Sequence, residues 1–143
     1  MTGDVFSKVL SANDVGTTGG HQGGILIPKG ETQLLAILPV LDPEIKNPDA
    51  WLDCVDDAGQ ALRFRFVYYN NKLHDENGTR NEFRVTHMTK WFRDTGAREG
   101  DEFRISLMSD KMRYSIGIIR PDPEDQNEED GVRIRLSGWR RVH

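Results

Sequence analysis

The residues best suited to chemistry stand in two polar segments. One is Asn77-Gly78-Thr79-Arg80-Asn81-Glu82-Phe83-Arg84-Val85-Thr86, which alternates guanidinium, amide and carboxylate groups. An arginine fork pairs bidentately with guanine O6 and N7, an asparagine pairs with adenine, and a carboxylate accepts from cytosine N4. A carboxylate between two arginines repels phosphate, so it has no use in a purely electrostatic patch. It makes sense where base edges are read. The other segment runs from Lys8 to Gln22 and centres on Asn13-Asp14-Val15-Gly16-Thr17-Thr18-Gly19-Gly20-His21-Gln22. Its small residues let the backbone approach a partner closely, and its polar side chains donate and accept. On composition alone, each segment reads equally as an ordinary surface loop. Asn77-Gly78-Thr79 is also a glycosylation triplet, which has no consequence in a cytoplasmic protein.

Other chemistries fail on spacing. The glycine-rich stretch Gly16 to Gly24 lacks the Gly-Lys-Ser/Thr ending of a phosphate loop, and it leads into a strand rather than a helix. His21, His74, His87 and His143 are scattered, so no metal site and no cofactor are expected. A magnesium-dependent nuclease needs clustered carboxylates beside a lysine. The nearest candidate, Asp42-Pro43-Glu44-Ile45-Lys46, sits in a proline-rich loop with no strand-borne acid before it. No catalytic residues are therefore expected. Two other readings stay open beside nucleic-acid recognition: a small metal-dependent nuclease, and a β module that binds protein or sugar.

The chain has 143 residues, of which 36% are hydrophobic and 29% charged. That suits one compact globular domain over residues 1–143. No apolar run reaches the roughly 20 residues of a membrane helix. The N-terminal residues lack the basic start and apolar middle of a signal peptide. The single cysteine, Cys54, excludes an internal disulfide and reads as a buried, inert thiol. A cytoplasmic protein with no membrane partner is expected. The formal net charge of −4 argues against a DNA partner. The distribution softens this, because acid concentrates at Asp122 to Asp130 while base concentrates at Arg63 to Arg93 and Arg133 to Arg141. Exposed charges more than about 10 Å apart are screened at 0.1 M salt.

The elements that must position these groups are mostly strands. Val5 to Leu10 and Gly24 to Pro28 are short apolar runs, and Thr32 to Leu38 suits a short helix with Thr32 as a weak cap. Trp51 to Val55 and Ala61 to Tyr69 flank Asp57-Ala58-Gly59, a hairpin turn. Leu62, Phe64, Phe66 and Tyr68 alternate with Arg63, Arg65, Val67 and Tyr69, the period of a half-buried strand. A polar loop, Asn70 to Asn81, precedes the alternating Glu82 to Thr86. Met88 to Asp94 suits a helical turn that delivers Trp91 to the core. Phe103 to Leu107, Tyr114 to Ile119 and Val132 to Leu136 complete the series. The pattern predicts a mainly β fold of about seven strands with one or two short helices.

Phe6 to Gln22 with Ile25-Leu26-Ile27-Pro28, and Tyr68-Tyr69-Asn70-Asn71 followed by Gly78 to Thr86, resemble two signatures of the amino-terminal domain of EcoRII-type restriction endonucleases. The resemblance departs at Leu26, where an aromatic is expected, and at Gly78, where a basic residue is expected. It implies a DNA-binding pseudobarrel shared with the plant B-three transcription-factor domain. Two arms, near residues 8–22 and 77–86, would grip the major groove of double-stranded DNA. The first would present Lys8, Asn13, Asp14, Thr17, Thr18, Gly19, Gly20, His21 and Gln22. The second would present Thr79, Arg80, Asn81, Glu82 and Arg84. Trp139 and Arg140 would close the cleft. The resemblance further implies an effector domain that reads a pseudopalindrome such as CCWGG and leaves cutting to a separate nuclease domain of the same enzyme. One asymmetric domain can cover such a site, so a monomer is expected.

Overall fold

The computed structural model of the chain describes residues 5–16, 24–110, 113–120 and 139–142. It contains β1 (Val5–Val9), α1 (Ala12–Val15), β2 (Gly24–Ile27), α2 (Thr32–Ile37), β3 (Asp49–Val55) and β4 (Ala61–Tyr69). α3 (Asn71–His74), β5 (Glu82–Thr86), α4 (Thr89–Thr95), β6 (Glu102–Leu107), β7 (Tyr114–Ile119) and β8 (Trp139–Val142) follow. The period-two alternation sets β4 and β5 at the expected bounds. The short helices were harder to foresee. α1 is one turn, stabilised by a capping box in which Ser11 Oγ accepts from Asp14 N and the Asp14 carboxylate accepts from Ser11 N. α2 is capped by Glu31 rather than Thr32, with no side-chain cap bond, because Thr32 already lies inside the helix.

The eight strands among the described residues join one sheet, in the order β2-β5-β4-β3-β7-β6-β1-β8. The ladders are antiparallel except β3 with β7, which run parallel over Cys54↔Tyr114 and Val55↔Ser115. The two edge strands, β2 and β8, meet through a side chain: Trp139 Nε1 donates to the Leu26 carbonyl at 3.1 Å. The result is a nearly closed barrel, as the resemblance implied, with eight strands among the described residues against the roughly seven expected. β8 was not foreseen as a strand. The strand expected at Val132 to Leu136 lies outside the described residues.

The interior is lined by alternate residues of each strand, among them Ile25, Leu52, Phe64, Phe66 and Phe103, all fully buried. Under the β2–β8 seam, Leu34 and Leu38 from α2 and its C-terminal end pack with Ile25, Ile27 and Trp139 around a small apolar cavity. α4 delivers Trp91 as expected. Its ring packs against Phe64 and Phe103, and its indole N–H donates to Asp56 at 3.0 Å. Asp56 also accepts from Ala58 N and Gln60 N, so one carboxylate holds both the β3–β4 turn and α4. Gly59, at φ 81°, completes that turn. Cys54 is buried, and burial foremost, with the nearby Asp53 charge, pushes its thiol up to about 12. It is therefore no nucleophile at neutral pH. Among the described residues no helix is long and apolar enough to cross a membrane.

The seam makes a measurable prediction. Trp139→Phe keeps an aromatic ring but loses the bond to Leu26 and part of the indole's volume, and is expected to lower unfolding stability in urea by about 1–3 kcal/mol. Trp139→Ala also opens a cavity against Phe103, and is expected to cost about 3–5 kcal/mol.

Candidate nucleic-acid interface

The two polar segments enter the same ladder from opposite ends. β2 and β5 are antiparallel, with Gly24 opposite Thr86 and Ile27 opposite Phe83. The first segment runs into β2 at Gly24, beside Thr86. The second runs into β5 at Glu82, beside the far end of β2. The ladder face turned away from the core therefore lies between the two points of entry. Register places Leu26, Arg84 and Val67 in one row of that face, and Gly24, Thr86 and Arg65 in another. Glu82 pairs with Tyr69 at the end nearest the second segment. Gly24 is required where the first segment joins: a Cβ there would lie 2.8 Å from the Val85 carbonyl.

The second segment is held rigidly. One carboxylate oxygen of Glu82 accepts from Arg80 Nη2 at 2.8 Å and from Arg84 Nε at 2.7 Å. Burial raises the Glu82 pKa, but the hydrogen bonds and charges of Arg80 and Arg84 outweigh it and hold the carboxyl below its ordinary range. The Arg80 guanidinium lies 3.9 Å from the centre of the Tyr69 ring. Asn81 accepts from the Tyr68 hydroxyl at 2.6 Å. That leaves the Asn81 amide N–H groups to donate. Thr79 is exposed. The loop behind these residues is not irregular throughout, as expected, but contains α3. Asn71 on α3 accepts from Arg80 N at 2.8 Å, and Lys72 N donates to the Arg80 carbonyl at 3.0 Å. Gly78 packs so tightly against α3 that a Cβ would lie 2.2 Å from the Asn71 carbonyl. That explains glycine where the resemblance leads one to expect a basic residue: any side chain would force α3 and this segment apart.

At the root of the first segment, Lys8 and Asp14 are both buried and paired to each other. Asp14 also belongs to the α1 capping box. Removing either partner would leave a buried charge uncompensated. Asn13 is exposed on α1, and Gly16 ends that helix at φ 82°. Thr17, Thr18, Gly19, Gly20, His21 and Gln22 lie outside the described residues.

Trp139, expected at the cleft mouth, is 8% exposed and is a core residue of the barrel seam, edge-on to Phe103. Arg140 is exposed on β8, with its guanidinium 3.4 Å from Glu102. Lys8, Asp14 and Trp139 are thus structural in position, whereas Arg80, Glu82 and Arg84 are linked by ion pairs outside the core, Asn81 is bonded to Tyr68, and Thr79 is exposed.

The face also carries residues that sequence reading passed over. Arg65 pairs with Asp49 at 2.6 Å. Trp51 is 45% exposed, with Arg63 over its ring and His87 edge-on to it. His87 adopts φ 68°, unusual for a residue with a side chain. The alternation of β4 put Arg63, Arg65 and Tyr69 on one strand face. Only the register with β5 shows that this face also holds Glu82 and Arg84. Among the described residues no three His, Cys, Asp or Glu side chains stand together as a metal site.

Comparison with known proteins agrees with this architecture. The type II restriction enzyme EcoRII of Escherichia coli is 39% identical over 94 residues, covering 57% of this chain and 20% of that enzyme. The chain thus spans about a fifth of the length of that relative. The solved structure of the Arabidopsis FUS3–DNA complex superposes with a TM-score of 0.61 at 19% identity, covering 83% of this chain and 99% of that one. The fold is therefore that of the B-three pseudobarrel. Residues 2–97 match the family described as "Restriction endonuclease EcoRII, N-terminal", and the chain belongs to that family.

Proposed function

We propose that this chain is the sequence-specific, double-stranded DNA-binding effector domain of a type II restriction endonuclease. It reads a short pseudopalindromic site of CCWGG type in the major groove, using two arms. The observation that carries this reading is the donor–acceptor–donor row of Arg80, Glu82 and Arg84, fixed on a sheet face that lies between the two arms. From Glu82 to Thr86 that face spans about 13 Å at about 3.3 Å per residue, close to the roughly 12 Å width of the major groove. Arg80 and Arg84 take guanine edges or flanking phosphates, Glu82 takes a cytosine amino group, and Asn81 donates from its amide. The FUS3 relative in fold is solved with DNA, and the EcoRII relative is a restriction enzyme. Both favour this partner over a protein or a sugar.

The arrangement also answers the charge objection. The face presents Arg65, Arg80 and Arg84 against Asp49 and Glu82, so it is locally basic in a chain of net charge −4. In the first arm, Asn13 and the segment Thr17 to Gln22 supply the contacts, while Lys8 and Asp14 brace its root. Arg140 adds charge near the seam. Residues 1–143 act as one recognition domain, as a monomer in the cytoplasm, with no cofactor. Cutting belongs to a separate nuclease domain, in keeping with the fifth of EcoRII that this chain matches.

Fluorescence anisotropy of the pure chain tests this. A CCWGG duplex is expected to bind about a thousandfold more tightly than a scrambled one, within the range of specific binders. Equal binding to both would refute the proposed site, and no salt-dependent binding to either would refute DNA as the partner. Nicking of plasmid by the pure chain with magnesium would favour the nuclease reading. Arg80→Ala and Arg84→Ala are each expected to cost about 1–3 kcal/mol of discrimination.

Glu82 adds a pH signature. Its folded pKa lies below its ordinary value, so it stabilises the fold above the ordinary glutamate range of about 4.3. That contribution is lost as pH falls through the lowered folded pKa. Glu82→Gln is therefore expected to destabilise the chain at pH 7, where two guanidinium groups would face each other. The difference from the parent should shrink toward pH 3 in urea titrations.

A further inference from the structure

We propose that Tyr69 is a specificity-determining positioning residue: its ring face sets the plane in which Arg80 meets a base edge. The proposal rests on the DNA-reading role above.

Tyr69 is the last residue of β4 and pairs with Glu82, so its ring projects from the same face as the Arg80–Glu82–Arg84 row. It is half-buried and directed away from the core, so its ring is not needed to fill the barrel. The Arg80 guanidinium sits 3.9 Å from the ring centre, well inside the distance at which a cation is attracted to a π face. Three further constraints converge on Arg80. Its side chain donates to Glu82, its backbone N–H donates to the Asn71 side chain, and its carbonyl accepts from Lys72 N. Glu82 fixes one end of the fork and the backbone bonds fix its origin. Neither sets rotation of the guanidinium about its long axis. The Tyr69 ring does, because a planar cation stacks parallel to the face.

Rotation is what bidentate reading depends on. Guanine O6 and N7 accept two parallel N–H groups only when the fork lies in the plane of the base. An arginine left free to rotate still attracts phosphate, but it must lose that freedom on meeting guanine. Tyr69 thus acts on discrimination, not on non-specific attraction. The Arg65 guanidinium on the same strand face is held by Asp49 at 2.6 Å.

The test compares Tyr69→Phe and Tyr69→Leu in the full chain. Without DNA, ring-current shifts of the Arg80 side-chain protons by NMR are expected in the parent and in Tyr69→Phe, and are expected to vanish in Tyr69→Leu. With DNA, the ratio of CCWGG to scrambled-duplex affinity is expected to fall about tenfold in Tyr69→Leu, the order of one cation–π contact. Binding to the scrambled duplex and its salt slope should stay unchanged. Tyr69→Phe, which keeps the stack and loses only the hydroxyl, should hold the ratio within about threefold. A folded Tyr69→Leu that discriminates like the parent would overturn the proposal. So would equal loss of specific and non-specific binding in both variants, the mark of a merely structural residue. If the parent itself discriminates between no duplexes, the DNA-reading role fails, and the DNA-free ring-current measurement separates that result from failure of the stack.

Discussion

The register between β2, β5 and β4 is the constraint on which the candidate surface depends. In β5, Phe83 and Val85 pack inward while Glu82, Arg84 and Thr86 face out. A slip of one residue would exchange the two sets. It would bury a carboxylate and a guanidinium and expose two apolar side chains. The stacked rings of Phe66, Phe83 and Tyr68 on the inner face therefore fix the positions of the charged row on the outer face. The core supplies the precision that the polar row could not supply for itself, because exposed ion pairs are individually worth under about 1 kcal/mol.

The same polar row resolves a tension between order and attraction. An arginine that waits unpaired is attractive to phosphate but has many rotamers to lose. Here the acids on the face, Asp49 and Glu82, hold Arg65, Arg80 and Arg84 in set geometries. The cost is reduced long-range attraction, consistent with a chain whose overall charge is negative. The gain is that the donors and acceptor already stand in a defined pattern. Glu82 is held ionised by the arginines it orients, so the acceptor in the pattern persists at neutral pH.

Each of the two polar segments is braced next to the barrel, and by different means. The first is anchored by a buried Lys8–Asp14 pair built into a single capped turn. The second is clamped by α3, through the Asn71 side chain, the Lys72 backbone and the close approach of Gly78. At the seam beside β2, Trp139 joins the edge strands through its bond to the Leu26 carbonyl. The side chain expected at a cleft mouth thus closes the barrel.

Much of this was legible in the chain itself. Alternation over Ala61 to Tyr69 and Glu82 to Thr86 marked two strands at their correct bounds, because a half-buried strand has a strict period of two. The density of arginine, asparagine and glutamate at 80–84 marked a candidate contact surface, and the structure joins Arg80, Glu82 and Arg84 there by ion pairs. Periodicity cannot report which strand lies beside which. The association of Tyr69, Arg65 and Asp49 with the second polar segment comes only from the β3–β4–β5 register. The capped turn at Ser11 to Gly16 and the turn at Asn71 were too short to leave a helical period. The fate of Lys8 and Trp139 was decided by burial. Each has a side chain suited to DNA or to a core, and only the closed barrel determines which environment it meets.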